Sequence, residues 1–116
     1  MTLPILDPAR LAKLERLGGR DLVAQLIDSF TTQGPERRNV LSQAASGGDL
    51  DALAEVAHLL VAGAGQLGAA SLSEQARAAE EAARRGDRTA VQALAPRLIS
   101  TFDASLAALA AARETP

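Results

Sequence analysis

The chain has no cysteine, tryptophan or tyrosine, and only one histidine among its 116 residues. The lack of cysteine excludes a disulfide framework and fits a reducing compartment. Phe30 and Phe102 are the only aromatic residues, and no group of side chains has the spacing of a metal site. These absences leave His58 as the one side chain equipped for chemistry near neutral pH, where an unprotonated imidazole is a competent nucleophile.

The sequence also lacks an excess of either charge, with 12 basic and 14 acidic residues and a net charge of −2. A nucleic-acid-binding surface needs excess positive charge to neutralise phosphates, so nucleic acid is not expected as a partner. No apolar run approaches the ~18 residues of a membrane-spanning helix, and no charged N-terminal region leads into an apolar segment. We therefore expect a soluble, cytoplasmic protein with no membrane partner.

What the chain does contain is an abundance of alanine, leucine, glutamate, glutamine and arginine, all good helix formers. Helix boundaries are marked by capping residues, glycines and prolines. In chain order these signals are Asp7-Pro8, Gly18-Gly19, Gly34-Pro35, Gly48-Asp49, a capping box at Ser71-Leu72-Ser73-Glu74, and Gly86-Asp87. The two Gly-Asp pairs suggest that one kind of tight connection is used twice, and Gly34-Pro35 either ends or kinks its helix.

Each predicted helix carries one apolar stripe, as expected for helices that share a core. The predicted core includes Leu53, Leu60, Leu72, Leu98 and Phe102. The short connections predict an all-α fold, an antiparallel up-down four-helix bundle with an additional short N-terminal helix. We expect a single domain over residues 1–116, with its core at about 5–110, and a kink at Pro96. The pairs Glu80–Arg84 and Glu81–Arg85 are predicted on the outer face of their helix.

The helical pattern also predicts which way His58 points. At roughly 100° per residue, His58 lies roughly 140° from the centre of the core stripe on its helix, and so faces solvent. Asp51 and Glu55 are near enough in sequence to orient the imidazole, although solvated surface charges are the plainer interpretation. A lone surface histidine is also often incidental, so the pattern alone leaves its role open.

A longer series of motifs surrounds this histidine. Ala57-His58-Leu59-Leu60 is followed by Leu67-Gly68-Ala69 and later by Arg85-Gly86-Asp87, while Phe30, Gly34-Pro35-Glu36 and Gly48-Asp49 precede it. In this order and spacing the chain resembles the histidine-containing phosphotransfer (HPt) domains of bacterial two-component phosphorelays, over about residues 5–110. The resemblance implies that His58 accepts a phosphoryl group from a receiver-domain aspartate, as phosphohistidine, and donates it to another.

The resemblance also implies the partners and the division of labour. A response-regulator receiver domain and a hybrid histidine kinase are the expected partners of a monomeric phosphocarrier without catalytic activity of its own. Magnesium is expected on the receiver, and neither a cofactor nor a metal on this chain. Small and apolar residues near the histidine suit partner docking. The docking candidates are Ala54, Leu59, Val61, Ala62, Gly65 and Gln66.

Two positions depart from the family's pattern. Val61 stands where the family has a lysine, and Ala62 stands where it has a glycine. The lysine is thought to offer positive charge to the phosphoryl group or the docked receiver, and valine offers none. Three hypotheses follow: a working phosphocarrier, a degenerate HPt-like adaptor that binds a receiver or kinase without carrying phosphate, and a structural helical module with an incidental histidine.

Overall fold

The computed structural model describes residues 3–114 and is built from five α-helices. Their bounds are α1 Pro8–Thr32, α2 Gly34–Ala45, α3 Leu50–Leu67, α4 Ala70–Arg84 and α5 Arg88–Glu114. No β-strand occurs within residues 3–114. The prediction of an all-α protein is therefore confirmed. The outermost two residues at each end of the predicted 1–116 domain lie outside the described residues.

Helix α1 begins where the sequence predicts and bends where a break was expected. Asp7 caps it by accepting a hydrogen bond from the Ala9 amide at 3.0 Å, and Pro8 occupies the first turn. Gly19 has a φ of 79°, a left-handed conformation that costs glycine little because it has no Cβ. The predicted short N-terminal helix and its successor are consequently two parts of one kinked helix.

The two Gly-Asp connections share one pattern of hydrogen bonds. Gly47 and Gly86 both have positive φ, and the residue after each donates its amide to a carbonyl five residues earlier. This is the hydrogen-bond pattern of a Schellman C-cap. Asp49 and Asp87 then accept hydrogen bonds from amides of the following helix. The first connection is one residue longer, because its positive-φ glycine is Gly47, with Gly48 before the capping Asp49, whereas Asp87 follows Gly86 directly. The prediction of one connection used twice therefore holds for the hydrogen bonds and not for the length.

Helix α4 begins earlier than predicted, and the prediction of a capping box at residues 71–74 is wrong. The N-cap is Ala69, which makes no side-chain capping bond. The preceding C-cap of α3, Gly68, turns the chain so tightly that Ser71 and Ser73 already lie within α4. The Ser71 amide donates to the Pro4 carbonyl at 3.2 Å. The N-terminal segment thus satisfies an amide that the first turn of a helix leaves free.

The apolar stripes meet in one core. Leu53, Leu60, Leu72, Leu98 and Phe102 are at most 1% exposed, as predicted. The α3–α4 interface is the most extensive in the fold. Most of the buried residues of these two helices are alanines, and small side chains let two helix backbones approach closely. The buried alanines of these helices are Ala54, Ala57, Ala64, Ala76, Ala79, Ala82 and Ala83. This close approach brings the outer edge of α4 up to the exposed face of α3.

Two features of the longer helices complete the fold. By length and composition α3 could cross a membrane, but Leu53, Leu60 and Leu67 on it are buried against the other helices, as in the core helix of a globular protein.

Helix α5 is helical on both sides of Pro96. It is joined to α2 by a bidentate ion pair, in which Arg38 donates a hydrogen bond to each carboxylate oxygen of Asp103. That hydrogen bonding from Arg38 holds the pKa of the Asp103 carboxyl below its ordinary value.

Candidate functional site

His58 lies in the middle of α3 and points into solvent. Its side chain is 67% exposed, while Ala57 and Leu60 on either side of it in the helix are completely buried. The cap at Asp49 fixes where α3 begins, and the buried leucines fix how the helix is rotated. Both constraints leave the imidazole on the outer face, as the helical pattern predicts.

A carboxylate from the neighbouring helix contacts the imidazole. Glu80 of α4 places its Oε2 3.1 Å from Nδ1 of His58. The Glu80 side chain is only 14% exposed, because it lies along the α3–α4 interface. The same Oε2 accepts two hydrogen bonds from Arg84, from Nη2 at 2.7 Å and from Nε at 2.9 Å. One oxygen atom therefore joins His58 to Arg84.

This arrangement keeps Glu80 ionised. Burial alone would raise the pKa of its carboxyl, but the hydrogen bond from Arg84, together with the positive charges of Arg84 and of protonated His58, outweighs burial. The pKa of Glu80 therefore lies below its ordinary value. At neutral pH the carboxylate carries no proton and can act only as an acceptor.

The charge state of Glu80 determines the tautomer of His58. A carboxylate that can only accept requires Nδ1 of the imidazole to be the donor, so the ring proton of neutral His58 lies on Nδ1. Nε2 then holds an unshared electron pair. Because the ring is exposed, that nitrogen is open to a reactive group on another protein. The geometry provides a positioned nucleophile, with Glu80 in the role that an orienting carboxylate has beside other reactive histidines.

The docking candidates predicted from sequence are not all on the surface. Leu59 is 50% exposed, and Ala62, Gly65 and Gln66 are also exposed. Leu59 and Gln66 border a recess of about 120 Å³ that Phe30 and Arg37 also line. Gly65 borders a second recess of about 310 Å³, beside the N-terminal segment. These four residues and His58 belong to the exposed side of α3.

Ala54 is a correction to the predicted docking residues. It is 5% exposed and belongs to the core. The buried face of α3 is wider than the predicted stripe because α4 packs closely alongside it, and Ala54 is covered although it lies one turn before His58. Val61, predicted as exposed, is only partly so and packs against the core. Its carbonyl accepts a hydrogen bond from Ser73 Oγ at 2.9 Å.

Sequence reasoning missed the residue that contacts the histidine. The sequence offers Asp51 and Glu55 as the carboxylates near His58, yet the contact comes from Glu80, for which the i,i+4 spacing predicts only an outer ion pair with Arg84. That pair does form, whereas Arg85 pairs with Asp87 at 4.0 Å in place of the predicted Glu81. Nothing in the i,i+4 spacing of Glu80 and Arg84 marks the first as a partner of His58, since the contact depends on the register between two helices.

The described residues hold no cluster of three or more histidine, aspartate or glutamate side chains that could bind a metal ion.

Comparison with known proteins identifies the family. The model of the Hpt domain family matches residues 25–112, a range that includes His58 and Glu80. Among solved structures, the chain is similar to histidine-containing phosphotransfer protein B (HptB) from Pseudomonas aeruginosa PAO1. The two share 30% sequence identity over 96% of each chain, with a TM-score of 0.83. A search among curated proteins found no match. The match over most of the chain establishes that this protein belongs to the Hpt domain family.

Proposed function

We propose that this protein carries a phosphoryl group between receiver domains of a bacterial two-component phosphorelay, with His58 as its phosphorylated residue. The observation that carries the proposal is the exposed imidazole with its Nδ1 bound to Glu80. Family membership supplies the class of reaction, that of a histidine phosphotransfer protein in a phosphorelay. The residue, the partners and the direction of each step are our inference.

In the proposed reaction, Nε2 of His58 attacks the phosphorus of an aspartyl phosphate on a receiver domain. The new N–P bond forms as the P–O bond to the aspartate breaks, and the aspartate leaves as a carboxylate. The imidazole gains positive charge, and Glu80 stabilises it through the proton on Nδ1. The reverse reaction passes the phosphoryl group to a second receiver. Magnesium on the receiver would stabilise the transferring group.

Docking is proposed to occur on the exposed side of α3. Leu59, Ala62, Gly65 and Gln66 surround the approach to His58, and Val61 contributes its exposed part. Small side chains leave room for a receiver to bring its aspartate to the imidazole, and Leu59 offers apolar surface. The partners we propose are a response-regulator receiver domain and a hybrid histidine kinase, and we expect a cytoplasmic monomer.

We also propose that the chain is one domain with the antiparallel up-down arrangement of a four-helix bundle. Helices α2, α3, α4 and α5 contact one another in a closed ring, and the connections between them are short. Short connections favour antiparallel neighbours. The kinked α1 lies against α2, α3 and α5.

One observation favours a second function. Val61 gives this surface no charge where the family's pattern has a lysine, as would suit an adaptor that binds a receiver or kinase without accepting phosphate. Incubation with a receiver phosphorylated on its aspartate separates the two functions. We expect the label to move to this protein in a form that is labile to acid, as phosphohistidine is. Stable binding without any label transfer would overturn the phosphocarrier and leave the adaptor.

A further inference from the structure

Arg84 is a cation that shares a hydrogen-bond partner with the reactive histidine. Its Nε and Nη2 both donate to Oε2 of Glu80, the same atom that accepts from His58 Nδ1. The guanidinium is separated from the imidazole by a single oxygen atom. Its side chain is 56% exposed, so it occupies the same open surface as His58.

We propose that Arg84 is a positioning residue for phosphotransfer: it fixes the Glu80 carboxylate against Nδ1 of His58 and so keeps Nε2 free of its proton. The inference rests on the proposed function of His58. It adds a positive charge beside the histidine in a chain whose Val61 offers none.

The need for a second partner follows from the position of Glu80. A glutamate side chain has three rotatable bonds, and that of Glu80 is only 14% exposed. Burying an ionised carboxylate with His58 as its one hydrogen-bond partner would cost free energy. The side chain could lower that cost by rotating toward solvent or by taking up a proton. Two donors from one rigid guanidinium remove both alternatives, because they fix the oxygen in place and favour the ionised form.

Helix geometry makes Arg84 the residue suited to this task. It follows Glu80 by four positions, so the two side chains lie on one face of α4. The other arginines of this region are engaged elsewhere. Arg77 lies 3.8 Å from Glu74, Arg85 pairs with Asp87, and Arg88 donates to the carbonyls of Gly47 and Gly48. None of these three contacts includes Glu80.

The tautomer of His58 can be measured, and it would not change if Arg84 only stabilised the fold. A free histidine in water favours the tautomer with its proton on Nε2, whereas the bond to Glu80 requires the proton on Nδ1. Imidazole ¹⁵N chemical shifts distinguish the two. We expect the Nδ1–H form in the natural protein, a shift toward the Nε2–H form in Arg84→Ala, and partial retention of the Nδ1–H form in Arg84→Lys.

The transfer rate is measured on the same variants at saturating phosphorylated receiver. Arg84→Ala should slow the step on the order of tenfold, as loss of orientation at a nucleophile does, with an unchanged helical circular dichroism spectrum. Arg85→Ala is the matched control, since it removes the same charge from the next residue without touching Glu80, and it should transfer at the natural rate.

The outcomes separate this inference from the proposed function. A natural protein that takes up no phosphate contradicts the proposed function, and the tautomer comparison still tests whether Arg84 positions Glu80. Uptake by Arg84→Ala at the natural rate overturns the role of Arg84 and leaves the phosphocarrier intact. Slow transfer with an unchanged Nδ1–H tautomer also overturns it, because Arg84 would then act by contacting the phosphoryl group or the receiver directly.

Discussion

His58 and Glu80 are 22 residues apart in the chain, yet Nδ1 of the first lies 3.1 Å from Oε2 of the second. The contact crosses the interface between α3 and α4, whose alanines let the two helices approach closely. It gives the two ring nitrogens different environments, since Nδ1 contacts Glu80 and Nε2 is the remaining nitrogen of a ring that is 67% exposed.

Replacing His58 should separate function from folding. We expect His58→Gln to abolish phosphoryl uptake while it changes the free energy of unfolding by no more than about 0.5 kcal/mol, because an exposed side chain contributes little packing. Label uptake and thermal unfolding measured on the same preparation test this. Undiminished uptake in the variant would place the phosphoryl group on another residue.

Replacing Val61 tests the position where the family has lysine. Val61→Lys should raise the transfer rate severalfold, because its ammonium can reach the phosphoryl group from one turn away. Val61 is partly buried, so the lysine stem must lie along the protein surface while its charged end remains in water.

Val61→Met is the matched control for this variant, since it gives an unbranched chain without charge and should not raise the rate. Equal acceleration by both would mean that shape, not charge, is limiting. If Val61→Lys takes up phosphate and the natural protein takes up none, this chain is a family member that has lost phosphotransfer, and the adaptor function is favoured.

The ion pair of Glu80 should appear in the acid stability of the protein. Because folding lowers the pKa of Glu80 from its ordinary value of 4.5, its contribution to stability is present above that value. The contribution is lost as the pH falls through the lower folded pKa. We expect the difference in unfolding free energy between the natural protein and Glu80→Gln to shrink as the pH falls below 4.5.

Urea unfolding at a series of pH values measures this difference. Glu81→Gln is the control, since it makes the same change at the next residue along α4, where the side chain is exposed. A difference for Glu80→Gln that stays constant through the acid range would contradict an ionised, paired Glu80.

Two glycines with similar φ angles should differ in their tolerance of alanine. A Cβ on Gly68, at φ 81°, would lie 2.8 Å from Arg10 Cβ and 3.0 Å from the Asp7 carbonyl oxygen. A Cβ on Gly86, at φ 71°, would meet nothing within 4 Å. Gly86→Ala should therefore cost only the left-handed backbone, about 1–2 kcal/mol.

Gly68→Ala should cost more, because the N-terminal segment must also move away from the α3–α4 connection. Exchange of the Asp7 amide, which donates to the Gly68 carbonyl at 2.8 Å, should become faster in this variant. Denaturant unfolding measures how much each variant lowers the free energy of unfolding. Equal losses in the two variants would show that the N-terminal segment moves away without an energetic penalty.

The helices and the core could be predicted from the sequence because both depend on local pattern. The stripe that contains Leu53 and Leu60 defines the buried face of α3, and it thereby places His58 outside. Capping by Asp49 and Asp87 is read from neighbouring residues in the same way. The start of α4 was predicted wrongly because the tight turn at Gly68 competes with the Ser71 capping signal, and the turn determines where the helix begins.

Contacts between helices could not be predicted in this way. The partner of His58 is Glu80, and the burial of Ala54 follows from how closely α4 approaches α3. Both depend on the axial register of two helices, which no periodicity within either helix specifies. The i,i+4 pair of Glu80 with Arg84 is real, but its position in the interface gives it a second contact that the spacing does not reveal.

The most direct test of the account is to determine which atom carries the phosphoryl group. The phosphorylated protein, labelled with ¹⁵N, can be studied by NMR experiments that detect coupling between phosphorus and the imidazole nitrogens. We predict phosphorus bonded to Nε2 of His58, with Nδ1 still protonated. Phosphorus on Nδ1, or on any residue other than His58, would contradict the account.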